Sequence, residues 1–184
     1  MTAAPPDDID ACDECQYSYD SEDEASIPDK LQTLGRRYTA PLTRFLPAED
    51  GPALLQAHPT PGVWSALEYA CHVRDVLEVL GQRVALTLIE EVPTFEPMRR
   101  DERVSELAYN EQDPAEVAAA IAANAASLAG AFAVLSPSEW ARTGIYGYPE
   151  AAERSLLWMG RHTIHEAHHH LLDVGRAMRT ARGR

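Results

Sequence analysis

The chain has 184 residues, 45% of them hydrophobic, which is enough for one domain with a full apolar core. Its formal net charge of −13 is uneven: residues 1–30 hold ten acids against the single base Lys30, and the remainder carries only −4. That balance, without a basic stripe or an apolar run approaching the roughly 20 residues of a membrane span, argues against nucleic-acid and membrane partners.

Residues 1–27 are polar, acidic and without helical period, and read as a mostly disordered tail carrying Cys12-Asp13-Glu14-Cys15. They lack the basic start and apolar stretch of a secretion signal. With only three cysteines in the chain, the expected location is cytoplasmic. Residues 28–184 form the domain. Leu31, Leu34, Tyr38, Leu42, Phe45 and Leu46 recur at helical steps until Pro47, with Pro41 expected to kink or split the run. After a Pro- and Gly-rich loop over 47–62, Ser65-Ala66-Leu67-Glu68 reads as a capping box. It opens a helix to about Glu90 that buries Leu67, Cys71, Leu77, Leu80, Val84 and Leu88. Pro93 and Pro97 open a second long loop over 91–112. Asp113-Pro114-Ala115-Glu116 then starts an alanine-rich helix to about Leu135. Ser136-Pro137-Ser138-Glu139 begins a short helical turn, a loop covers Gly144 to Pro149, and a last helix spans roughly 150–180. Four long helices without strand alternation predict an all-α four-helix bundle. Loops as long as 47–62 and 91–112 more often line a site than merely connect.

Five of the seven histidines fall within His162-Thr163-Ile164-His165-Glu166-Ala167-His168-His169-His170. His165 and His169, four apart on one helix face, can grip one divalent ion and leave other positions to other segments and water. A third imidazole from a neighbouring helix would complete the site. Apart from His58 in the Pro-rich loop, only His72 remains outside the run. A lone histidine on an apolar face is more often a hydrogen-bonded core residue than a ligand. The cluster shifts that balance, because adjacent imidazoles repel when protonated and are mediocre helix formers. A metal is the strongest reason for such a run; an acid-sensing or merely solvated patch is the alternative. Asp75 or Glu68 is placed to steady an imidazole from behind, as is His168, which is otherwise interfacial. His162 and His170 are expected at the surface. Cys12 and Cys15 look like half a zinc knuckle without its second pair, because Cys71 is expected to be buried. The pair either binds nothing or meets its copy in another subunit.

The stretch Trp64-Ser65-Ala66-Leu67-Glu68-Tyr69-Ala70-Cys71-His72-Val73-Arg74-Asp75 resembles the Trp-Ser/Thr-x-x-Glu-x-x-x-His-x-x-Asp pattern of the DinB-like bundles. His165-Glu166-Ala167-His168-His169 is similar to the His-x-x-His-His element on the last long helix of that superfamily. Its members include bacillithiol-transferase-like proteins and mycothiol-dependent maleylpyruvate isomerases. The resemblance, loose over residues 28–180, implies an up-up-down-down bundle with long crossover loops, frequently a homodimer. It implies His72, His165 and His169 as ligands of one divalent ion, zinc or nickel, which activates a low-molecular-weight thiol such as mycothiol or bacillithiol. Where the family often has Gln or Arg after the histidines, this chain has Leu171-Leu172-Asp173.

The leading expectation is therefore a metal-dependent thiol S-transferase or isomerase acting on an unknown electrophilic substrate, with Arg74, Arg83 or Arg176 available to receive an anion. The alternative is a non-catalytic metal-binding or stress-associated bundle with a structural or sensing metal, closed by a fourth protein ligand. A third reading makes the acidic segment and its cysteine pair a docking element for a partner.

Overall fold

The two caps read from the sequence set where the central helices begin. Ser65 accepts a hydrogen bond from the Glu68 backbone while the Glu68 carboxylate accepts from the Ser65 backbone at 2.7 Å, which satisfies two donors that a helix start leaves free. Asp113 caps the alanine-rich helix through the Ala115 and Glu116 amides, with Pro114 in the first turn. The computed structural model describes residues 11–147 and 150–183; residues 1–10 of the expected tail and Pro149 of the expected loop lie outside the described residues.

In chain order the helices are α1 (Ser26–Thr43), α2 (Gly51–Gln56), α3 (Ala66–Ile89), α4 (Arg100–Glu106), α5 (Pro114–Ala133), α6 (Pro137–Trp140) and α7 (Leu156–Ala181). The four long ones, α1, α3, α5 and α7, form the bundle. α1 packs on α5 and α7, and α3 packs on α7 and α5. Chain neighbours α1 and α3 therefore stand across the bundle from each other, which is why long crossings separate them. α1 starts two residues before Pro28, with Asp23 accepting from the Ala25 and Ser26 amides, and Pro41 sits inside its last turn without ending it. Leu31, Leu34, Tyr38 and Leu42 are buried as expected, whereas Leu46 lies past the helix end and is exposed. The Tyr38 hydroxyl donates to the Ala167 carbonyl at 2.7 Å and so ties α1 to α7 across the core.

Three features depart from the sequence reading. The loops at 47–62 and 91–112 contain α2 and α4. A small antiparallel hairpin joins β1 (Thr143–Tyr146) to β2 (Ala152–Ser155), and Ile145 exchanges backbone hydrogen bonds with Pro93 and Phe95. Four-residue strands are too short to show alternation. α5 is, by length and composition, apolar enough to cross a membrane, because alanine fills it. Its Val117, Ile121, Leu128 and Phe132 stripe is buried inside the bundle.

The largest correction concerns the acidic segment. Residues 11–24 are ordered against α7 rather than forming a loose tail. Cys15, Tyr17 and Tyr19 join the hydrophobic core, and an isolated bridge pairs Ala11 with Ser18. Most of the acids around them face outward: Asp13, Glu14, Asp20, Asp23 and Glu24 are exposed, whereas Glu22 is buried.

Candidate metal centre

α7 carries two overlapping pairs spaced by four residues, His165/His169 and Glu166/His170, offset by one residue or about 100° around the helix. Each pair therefore faces a different neighbour. The Glu166/His170 face meets α3. His72, buried two turns into α3, points Nε2 at Glu166 Oε2 at 3.8 Å, and His170 Nε2 approaches the same oxygen at 3.7 Å. The His72 and His170 rings meet edge to face at 4.9 Å, with Trp64 against His72 and Tyr69 stacked on His170. Behind His170, Asp173 Oδ2 lies 3.0 Å from Nδ1 and fixes the ring.

The His165/His169 face meets the N-terminal segment instead. Cys12 Sγ lies 3.6 Å from His169 Nδ1, and Cys12, Cys15, His165 and His169 bring one ligand atom each to within 4.8 Å of one another. The Tyr19 hydroxyl bridges His162 Nδ1 at 2.7 Å and His165 Nδ1 at 3.1 Å.

The ligand set implied by the resemblance is thus divided. His72 joins Glu166 and His170, and His165 and His169 join Cys12 and Cys15, while Glu166 and Asp173 lie between the two groups, 3.8 Å from His165 and 3.6 Å from His169 respectively. Helix periodicity permits either pair on α7, and only the packing of α3 decides which one His72 meets. His162 and His170 are not surface residues: His162 is buried against Trp158 and Tyr19, and His170 belongs to the cluster. The expected supporting residues act elsewhere. Glu68 caps α3 and lies 3.5 Å from His58. Asp75 receives Arg74, Arg103 and the Tyr109 hydroxyl. His168 receives Arg37 at 3.1 Å. The supporting groups at the clusters are Asp173 and Tyr19. Asp173 looked like a mere departure from the family pattern, and Tyr19 lay in the segment read as tail.

The electrostatics suit a cation. Burial disfavours charge on Glu166, but contacts with His170 and His72 outweigh it and hold the carboxyl well below its usual range. Burial likewise opposes charge on His170, yet Asp173 and then Glu166 raise it to about 9. Two carboxylates around one imidazole form an electron-rich set, which the His170 proton neutralises and a metal ion would neutralise in its place. Burial lowers His72 and takes His165 down to about 4, so both rest as neutral donors. His72 Nδ1 and His165 Nε2 are buried without a hydrogen-bond partner. An imidazole nitrogen and a carboxylate oxygen about 2.0–2.2 Å from a tetrahedral ion stand about 3.3–3.5 Å apart. The Glu166 contacts at 3.8 and 3.7 Å lie slightly outside that range, so the side chains would draw together by a few tenths of an ångström around an ion. Two cavities of about 490 and 250 Å³ lie away from these clusters, beside Arg74 and Gln112 and beside Arg83 and Phe95.

The model of the DinB superfamily matches residues 32–174, which span all four bundle helices. The chain belongs to the DinB superfamily. Among solved structures it is similar to YfiT from Bacillus subtilis, described as a probable metal-dependent hydrolase with an unusual four-helix bundle topology. The TM-score is 0.72 at 16% identity, over 91% of this chain and 90% of YfiT, so the two share the fold. Comparison with curated proteins finds no match. The superfamily match stops short of Cys12 and Cys15, so those residues lie outside the part of the chain it describes.

Proposed function

We propose that this DinB-superfamily protein is a divalent-metal-dependent enzyme whose metal, zinc or nickel, is held by His72, Glu166 and His170. The observation that carries this reading is the convergence of both imidazole Nε2 atoms on one Glu166 oxygen, with Asp173 bracing His170 from behind. Two histidines and a carboxylate form a three-donor set of the kind that leaves a coordination position open. A divalent ion there would favour the deprotonated, nucleophilic form of a thiol or of water.

The chain's own residues define the rest. Trp64 and Tyr69 wall the His72–His170 pair and limit its contact with solvent. Glu166 supplies the anionic donor, and Asp173 sets which nitrogen of His170 faces the site. Within this reading the substrate is a low-molecular-weight thiol such as mycothiol or bacillithiol, transferred to or used to isomerise a small electrophile. The proposed setting is the cytoplasm, where such thiols stay reduced, and the proposed assembly is a homodimer. Hydrolysis is the second reading, favoured by the structural likeness to YfiT, and it needs the same open position.

The test is thermal unfolding of untagged protein, metal-free and metal-loaded, with mycothiol, bacillithiol or neither. A thiol that raises the melting temperature only when metal is bound supports thiol chemistry, because ligands that bind the native state stabilise it. Loss of one metal equivalent in both His72→Ala and His170→Ala supports the site. If both variants keep full metal content, the assignment fails.

A further inference from the structure

We infer that Cys12, Cys15, His165 and His169 form a second, structural zinc site, closed by four protein ligands, that fastens the N-terminal segment onto α7. The cysteines sit on a knuckle. The Gln16 amide donates to the Cys12 carbonyl at 2.7 Å, the Cys12 amide donates to Tyr17, and Ala11 pairs with Ser18. Gln16 closes the turn in the left-handed conformation at φ 59°, a cost that a non-glycine residue bears only when its surroundings hold it there.

The imidazoles opposite are set as ligands. His165 has Nδ1 on the Tyr19 hydroxyl, which leaves its buried Nε2 without a partner. His169 has Nε2 within 3.6 Å of both Glu14 and Asp173, which leaves Nδ1 towards Cys12. His169 thus has one nitrogen beside carboxylates and the other towards Cys12, and His165 has one nitrogen on Tyr19 and the other buried without a partner. This leaves each ring a nitrogen for a metal while the other is engaged, as metal-bound histidines require. The Cys12 Sγ to His169 Nδ1 separation is 3.6 Å. Zinc–sulfur and zinc–nitrogen bonds of about 2.3 and 2.05 Å in a tetrahedron put these atoms about 3.6 Å apart.

Two cysteines and two histidines suit zinc, and four protein ligands leave no open position, so this site is structural where the His72 cluster is open. Binding releases the two thiol protons to solvent and leaves a neutral zinc–dithiolate unit. The benefit is to a stretch that is short and acidic. Residues 11–24 bury only Cys15, Tyr17, Tyr19 and Glu22 among their side chains, too little apolar surface to order such a segment securely.

Zinc X-ray absorption on the untagged full-length His72→Ala variant tests the site, because that change removes the buried imidazole of the other cluster. The expected result is two sulfurs and two nitrogens per zinc. The Cys12→Ser/Cys15→Ser double variant is expected to lose one zinc equivalent relative to wild type and to be cut by protease ahead of α1. A zinc shell without sulfur, full zinc retention by the double variant, or a Cys12–Cys15 disulfide in freshly purified protein overturns the proposal. If the double variant does not fold, the absorption spectrum of the His72→Ala protein alone decides. Because it is read with His72 absent, failure of this site is distinguishable from failure of the catalytic one.

Discussion

Asp173 stands three residues beyond His170 and holds its Nδ1 at 3.0 Å, so the ring turns its other nitrogen towards Glu166 and His72. The Asp173→Asn variant keeps an acceptor oxygen but loses the charge that makes His170 a strong donor. It should fold as wild type and bind metal about 10–100-fold more weakly at the His72 cluster. Competition with a calibrated chelator measures this. An affinity within twofold of wild type would show that Asp173 only pairs with Arg176 at the surface.

Asp75, one of the residues placed by the sequence to steady an imidazole, instead anchors the crossing between α3 and α5. Arg74 Nε and Arg103 Nη1 donate to it at 2.8 and 2.9 Å, and the Tyr109 hydroxyl donates at 2.6 Å. Removing one partner of a buried charge set typically costs 3–5 kcal/mol, and the partial exposure of Arg103 places Asp75→Ala near the lower end, about 3 kcal/mol. Metal content should not change. Urea unfolding together with elemental analysis separates the two roles: intact stability with lost metal would restore Asp75 to the metal site.

The caps, the burial side of α3 and the four long helices were legible because each rests on a local rule that neighbouring packing does not reverse. Ser65 with Glu68 and Asp113 with Pro114 are such cases. The histidines of the candidate metal centre were legible as a set, but which of them the packing brings together was not. On α7, residues 165/169 and 166/170 obey the same four-residue spacing, and the choice between them depends on how α3 is rotated against the helix. Glu166 was hidden because a single carboxylate among five imidazoles carries no spacing signal of its own. Cys12, Cys15 and Tyr19 were hidden by averaging, since the acids around them made the segment look solvated while its few large side chains turned inward.

Tyr19 offers a direct check that the N-terminal segment is part of the fold. Its hydroxyl is the group that meets the buried His162 Nδ1 at 2.7 Å, and Tyr19→Phe removes it without changing ring packing against Trp158. A buried polar atom left without its partner costs about 1–3 kcal/mol. Unfolding of the full chain should show a loss in that range, with the secondary structure retained. A change below about 0.5 kcal/mol, the scale of an ordinary surface substitution, would mean that the segment does not hold Tyr19 against α7 in solution.

Gly35 packs α1 tightly against Ala122 of α5. A Cβ built on Gly35 would lie 2.7 Å from the Ala122 Cβ and 2.9 Å from its Cα, closer than carbon atoms approach, so Gly35→Ala forces the two helices apart. Alanine would gain about 1 kcal/mol of helix propensity over glycine. Overpacking typically costs about 1–3 kcal/mol, and the near-contact with backbone puts this case at the upper end, for a net loss of about 1–2 kcal/mol. Ala122→Gly in the same chain should not restore wild-type stability, because it removes the clash with Cβ but leaves the one with Cα and adds its own propensity cost. Comparing the two single variants with the double variant measures the coupling, and neighbours in contact are expected to be non-additive. If Gly35→Ala proves more stable than wild type, the propensity gain has won and the close approach of α1 to α5 is looser than described.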